Sequence, residues 1–293
     1  MGTHILENDQ LKISIADAGA ELCSVLDKVS GTERIWSADP AIWNRHAPIL
    51  FPFVGKVTDG KYRISSREYS MKTQHGFARD LEFACQDENS LSVTHRLLST
   101  EETRAVYPYD FCLTVKHTLD PDNPRTLCIT WIIENQGQDS MYYSIGGHPG
   151  FLMPPGTRKE DCWLVFPGHD RLSYFGANPA GFALPDEEHL LNLESGYAPY
   201  QADIPDTWIF SGQDIETVQI ARPDRTPYVT MHCGGFPLLA VWANPKGPFI
   251  CLEPWFGRTD DAGFTGTLAE KPGMEILGPG QSRLISYSIE FHS

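Results

Sequence analysis

What most constrains the fold of this chain is a recurring two-residue alternation of apolar and polar side chains. Leu11, Ile13 and Ile15 alternate with Lys12 and Ser14, and Phe111, Leu113 and Val115 with Cys112, Thr114 and Lys116. Leu127, Ile129, Trp131 and Ile133 fall opposite Cys128, Thr130 and Glu134, while Ile285, Tyr287, Ile289 and Phe291 alternate with Ser286, Ser288 and Glu290. Successive side chains of a strand point to opposite faces, so such runs are half-buried strands. Between them lie turn formers such as Ser30-Gly31, Asp59-Gly60, Glu88-Asn89-Ser90, Gly234-Gly235 and Met153-Pro154-Pro155-Gly156. With 25 Gly and 22 Pro in 293 residues, few windows can hold ten residues of uninterrupted helix. One short helical turn is expected at Glu187 to Leu193. The chain reads as all-β, a large antiparallel β-sandwich, and as one domain over residues 1–293. The irregular stretches 153–160 and 176–200 are long enough to be functional loops.

Charge narrows the partners. Lys plus Arg number 23 against 38 Asp plus Glu, a formal charge of −15, which disfavours nucleic acid and anionic membrane surfaces. No stretch approaches the ~18 apolar residues of a membrane-spanning helix, and no secretory signal is visible near the start. Seven scattered cysteines include no C-x-x-C pair, which fits a reduced, cytoplasmic compartment. Cys85, Cys112, Cys128 and Cys251 lie in strand-like apolar runs and are expected to be buried thiols.

Four short strings stand apart from this pattern. They are Pro48-Ile49-Leu50-Phe51-Pro52-Phe53-Val54-Gly55-Lys56-Val57, His75-Gly76-Phe77-Ala78-Arg79-Asp80, Gly146-Gly147-His148-Pro149-Gly150-Phe151 and Cys251-Leu252-Glu253-Pro254-Trp255-Phe256-Gly257. His148 and Glu253 each follow an apolar stretch and precede Pro, so both are expected at strand ends. One His and one Glu suffice for proton chemistry on a neutral substrate, one donating while the other accepts. His148 has little side-chain bulk around it in sequence, which would admit a ligand to an imidazole that titrates near neutrality. Glu253 lies among apolar and aromatic neighbours, where burial would raise its pKa.

Each of these residues also has a purely structural reading. His148 can be a buried imidazole satisfied by backbone, and Glu253 the partner of Arg258. His75 and Arg79 can form a hairpin edge with Arg79 paired to Asp80 or Glu82, or a polar edge that holds sugar hydroxyls. Trp242 and Trp255 can be core aromatics or flat faces for a sugar ring. Other chemistries lack a string to carry them: there is no G-x-S-x-G, no phosphate-binding G-x-x-x-x-G-K-[ST] and no H-E-x-x-H.

At the four strings, in order and from about Leu11 to Ile289, the chain resembles the aldose 1-epimerase, or galactose mutarotase-like, family. The resemblance implies a galactose mutarotase-like β-sandwich that needs no cofactor and no metal and acts on a free monosaccharide, as a monomer or homodimer. It carries the general acid onto His148, the general base onto Glu253 and substrate-holding roles onto His75 and Arg79. Asp206, in Asp206-Thr207-Trp208, is the candidate for a further substrate-binding aspartate, and Trp242 for a ring contact. The first string usually ends Val-Gly-Arg, whereas this chain has Lys56, which keeps the charge but loses the planar two-pronged donor. Two alternatives stay open: a mutarotase for hexose 6-phosphates using Lys56, Arg79 and Arg258, and a carbohydrate-binding protein without catalysis.

Overall fold

The alternating runs become the centre of a nine-stranded antiparallel sheet. In the computed structural model, which describes residues 2–200 and 207–293, its order is Tyr197–Pro199, Trp163–Val165, Thr217–Ala221, Pro227–His232, Ser282–Phe291, Thr126–Asn135, Phe111–Leu119, Ser92–Leu98 and Ala84–Glu88. The apolar members of each alternation face inward: Leu113, Val115, Leu127, Trp131, Ile133, Ile289 and Phe291 have no exposed surface. Each such side chain contributes about 1.5–3 kcal/mol on burial, which pins the register, since a one-residue slip would turn the apolar set outward.

A second sheet faces this one. It contains Thr207–Ser211, Leu238–Trp242, Phe249–Phe256, Ile145–Gly147 and Ile49–Leu50, with Gly150–Leu152 also paired to Phe249–Phe256. Aromatic rings join the two layers: Phe236 stands against Trp131 and Tyr287 of the large sheet and against Phe256 of the smaller, 4.9 Å between centroids in the last case. The result is a β-sandwich with a contiguous apolar core reaching from Leu6 to Phe291. A four-stranded sheet, Thr3–Glu7, Leu11–Ala16, Leu22–Asp27 and Thr32–Glu33, packs alongside. Among the described residues no helix is long and apolar enough to cross a membrane.

Local expectations fail in three places. Residues 187–193 form no helical turn: His189–Asn192 is a strand paired with Arg171–Tyr174. Among the described residues the one α-helix is instead Glu101–Val106, closed at its start by reciprocal hydrogen bonds between Thr100 and Thr103. Cys112 and Cys251 are buried, but Cys128 is half-buried and Cys85 exposed, because Cys85 lies on the edge strand of the large sheet.

Candidate functional site

Every residue of Phe249–Phe256 is buried, so this strand is covered on both faces. Glu253 is therefore inside a strand and not at its end as expected, with 1% of its surface exposed. A carboxyl in such a place is costly unless it is neutral or paired. The strand bearing His148 explains what stands opposite. Gly146 pairs with Trp255 and Gly150 with Cys251, so the intervening turn sets His148 against Glu253. Gly146 is required here, since a Cβ would come within 2.5 Å of the Trp255 ring.

His148 Nε2 and Glu253 Oε2 are 3.3 Å apart. Among the described residues no hydrogen bond reaches Glu253 Oε2 or His148 Nδ1, although both atoms are buried. Burial raises the Glu253 pKa well above its ordinary value, opposed only by the Trp255 indole from beyond good hydrogen-bonding geometry. Burial, and secondarily the charge of Arg79, lowers that of His148 to about 3. Both shifts favour neutral forms, so the pair holds one proton and keeps it on the carboxyl when no ligand intervenes.

The pair opens into a cleft of about 470 Å³, within the about 300–1,000 Å³ span of small-molecule sites. Trp43, Trp242 and Trp255 provide apolar walls, and Lys56, Gln74, His75 and Arg79 a polar side. The loop residues Ala177, Asn178, Pro179 and Gly181 lie at its rim, within one of the two stretches expected to be functional. Three rings surround His148: Trp43 at 4.9 Å between centroids, Trp242 edge-on at 5.4 Å and His75 edge-on at 5.5 Å. Trp242 is thus a wall of the cleft, at the end of strand Leu238–Trp242.

His75 adopts φ 66°, and its Nδ1 accepts the Gly55 N–H at 3.0 Å. That bond requires an unprotonated Nδ1 and leaves Nε2 as the donor. Burial by the surrounding protein, then the charges of His148, Arg79 and Lys56, hold its pKa well below normal, even though part of the ring meets the cleft. Arg79 pairs with neither Asp80 nor Glu82 in the way expected; its Nη2 donates to Gln74 O at 2.7 Å, and Arg45 takes Asp80. Lys56 Nζ donates to Ala180 O at 2.8 Å and so ties the rim loop to the first string. Arg258 pairs with Asp261 and not with Glu253, and it is not part of the cleft lining.

Six of the seven residues expected in the site, His148, Glu253, His75, Arg79, Lys56 and Trp242, line this one cleft. Asp206 lies outside the described residues. Trp43, Gln74 and Asn178 line it too and were not anticipated. Trp43 belongs to an irregular segment with no period, and only its proximity to the first string hinted at it. The sulfur of Cys251 lies near the pair, and one ligand atom from each of His148, Cys251 and Glu253 falls within 4.8 Å of the others. Burial and then the Glu253 charge raise the Cys251 pKa well above normal, which disfavours the thiolate that would bind a metal.

Residues 3–169 match the aldose 1-epimerase family. The chain is 30% identical to the LacX protein of Lactococcus lactis subsp. lactis, with 97% of each chain covered. It is similar in structure to a galactose mutarotase related enzyme from Lactobacillus acidophilus, with 30% identity, a TM-score of 0.93 and coverage of 100% and 98%. A galactose mutarotase-like protein from Lactobacillus casei is also similar, with 31% identity, a TM-score of 0.89 and coverage of 99% and 100%.

Proposed function

From the premise that the chain belongs to the aldose 1-epimerase family, we propose that it interconverts the α and β anomers of a free aldose such as galactose or glucose. The observation that carries this reading is the buried His148–Glu253 pair, 3.3 Å apart at the foot of a cleft with aromatic walls. Opening a pyranose needs one proton removed from the C1 hydroxyl and one delivered to the ring oxygen. Glu253 removes the first, His148 delivers the second, and the C1–O5 bond breaks to give the open-chain aldehyde. Rotation about C1–C2 presents the other carbonyl face, and the reverse transfers close the ring. The pair regains its starting proton, so turnover consumes nothing.

The free protein favours the proton on Glu253, whereas this cycle starts with it on His148. A bound sugar supplies the bias. Its C1 hydroxyl donates to Glu253 Oε2, which receives no hydrogen bond from the described residues, and hydrogen bonding to the charged form lowers a carboxyl pKa. Its ring oxygen accepts from a protonated His148. Transfer across the 3.3 Å gap then produces the reactive ion pair within the occupied cleft. His75 Nε2–H and Arg79 orient the sugar hydroxyls, and Trp242 offers an apolar face to the ring.

A free sugar is favoured over a phosphorylated one because Arg258 pairs with Asp261 outside the cleft lining, and the two cations that line it each already hold a backbone carbonyl, Lys56 that of Ala180 and Arg79 that of Gln74. The test is polarimetry, or proton NMR, of freshly dissolved α-galactose and α-glucose with catalytic amounts of protein. Accelerated equilibration is expected with at least one of them. No acceleration with any common aldose removes the enzymatic reading, and a clear preference for hexose 6-phosphates replaces the free substrate.

A further inference from the structure

A second cluster of ligand-type side chains lies where the four-stranded sheet meets the large one. The joint is made by backbone hydrogen bonds, Phe83 N–H to Asp17 O at 2.8 Å and Glu7 N–H to Ser90 O at 3.2 Å. His4 from strand Thr3–Glu7, Asp17 just after Leu11–Ala16 and His95 from Ser92–Leu98 converge beside it. One ligand atom from each lies within 4.8 Å of the others. None of the three lines the sugar-sized cleft.

Hydrogen bonding among the described residues leaves this cluster only partly satisfied. His4 is bracketed by two carboxylates, with Nδ1 2.9 Å from Glu88 Oε2 and Nε2 2.9 Å from Asp17 Oδ1. An imidazolium at His4 would satisfy both. His95, which is fully buried, then has only a long 3.3 Å contact from Nε2 to the same Asp17 oxygen, and among the described residues its Nδ1 has no hydrogen-bond partner. A neutral His4 with Nδ1–H on Glu88 instead directs a lone pair from Nε2 at Asp17 Oδ1. A cation among His4 Nε2, His95 Nε2 and Asp17 Oδ1 turns both the facing lone pair and the long contact into bonds, because it gives each of these three atoms a close partner.

We infer that His4, Asp17 and His95 form a site for a divalent transition metal of the zinc type, which fastens the four-stranded sheet to the large one. Zinc bonded at about 2.0–2.2 Å in a tetrahedron sets neighbouring ligand atoms about 3.3–3.6 Å apart. The His95–Asp17 separation of 3.3 Å meets this, and the His4–Asp17 separation of 2.9 Å needs an opening of a few tenths of an ångström. Glu88 holds His4 in the tautomer that frees Nε2, the carboxylate–imidazole–metal arrangement of metal sites in general. The Gly2 N–H donates to Asp17 Oδ2 and turns the other oxygen toward the cluster. Two carboxylates and two neutral imidazoles carry a charge of about −2, which one divalent ion balances. His4 and Asp17 are partly exposed, so solvent can deliver the ion and occupy the fourth position.

The test is titration of chelator-treated full-length protein with Zn²⁺ against a chromogenic chelator, with Co²⁺ absorption as a coordination readout. One Zn²⁺ per chain is expected, with a rise in melting temperature. His4→Ala and Asp17→Asn should each remove the binding and the rise, and Glu88→Gln should weaken affinity about 10–100-fold through His4. His95→Gln should also remove it; because His95 is buried, the partly exposed His4 and Asp17 variants decide the matter if that protein does not fold. Cys85→Ser, Cys23→Ser and Glu253→Gln should leave binding unchanged. Failure to bind either Zn²⁺ or Co²⁺ would overturn the inference. So would binding that survives His4→Ala and Asp17→Asn, and its loss in one of the cysteine or Glu253 variants would then show where the ion sits.

Discussion

His148 Nε2 stands 3.3 Å from Glu253 Oε2 inside the protein, and the surroundings push the two groups toward neutrality in opposite senses. The pair is consequently a single-proton device. Removing either member should cost the whole function: His148→Asn and Glu253→Gln are each expected to lower kcat by ~10²–10⁴-fold. The double variant should be little worse than the more damaged single one, because groups acting as a unit are not additive. Polarimetry on folded variants checks this, and near-wild-type activity in either would exclude that residue from the reaction.

Stability should carry the same signature in its pH dependence. Glu253 has a folded pKa above its unfolded value, so its contribution is fully present below about pH 4.5 and is lost as pH rises through the folded value. Glu253→Gln abolishes that loss without changing shape. The variant should be more stable than wild type near pH 8, and the gap should close toward pH 4.5. His148 runs the other way: its folded pKa of about 3 lies below the unfolded 6.5, so its contribution is present above pH 6.5 and is lost as pH falls toward 3. Denaturant titrations of both variants across this range separate the two trends.

The rate should follow the proton count of the pair and not the ordinary titration of a histidine. The pair holds one proton from about pH 3, where His148 gains a second, up to the raised pKa of Glu253. For the free protein kcat/KM should therefore stay level through pH 6.5, after correction for buffer-catalysed mutarotation. A half-maximal point near pH 6.5 would mean that His148 titrates as if exposed.

Much of this was readable beforehand, for identifiable reasons. The strands through Leu113, Ile129 and Ile289 are half-buried, so their period is visible in the residues themselves. Glu253 was legible as a carboxyl in an apolar run, but not its position within the strand, because Pro254 suggested an end. Helix Glu101–Val106 escaped because its six residues are too few to show a period, and its Thr100–Thr103 cap is weak as a signal. Trp43 and Asn178 reach the cleft from irregular segments, where only the folded path brings them to His148. For Lys56 the resemblance implied a place in the substrate site, which its position in the cleft lining matches, but the bond of its ammonium to the Ala180 carbonyl had no sign in the residues.

That bond makes Lys56 a tether for the loop that borders the cleft. Lys56→Met should loosen the segment around Ala180 and Gly181 and raise KM about two- to tenfold, the cost of one partly exposed charged hydrogen bond, with kcat nearly unchanged. A fall in kcat at constant KM would instead place the ammonium against the reacting sugar.

The last prediction concerns how the backbone brings His75 to the cleft. Phe51 O accepts the N–H groups of both Phe77 and Ala78 at 3.0 Å, which draws the His75 string against the first one. Gly76 lies at the point of closest approach with φ +68°, and a Cβ there would stand 2.3 Å from Phe51 O. Two costs add: about 1–3 kcal/mol for a left-handed non-glycine residue and about 1–3 kcal/mol for the overlap with unyielding backbone. Gly76→Ala should thus lower stability by about 2–6 kcal/mol and, where the protein still folds, shift His75 away from Gly55 N–H and raise KM. Gly31 also has positive φ but no atom within 4 Å of a would-be Cβ, so Gly31→Ala should cost only the backbone share and leave KM untouched. Equal losses from the two substitutions in chemical denaturation would show that the contact with Phe51 contributes nothing beyond the turn conformation.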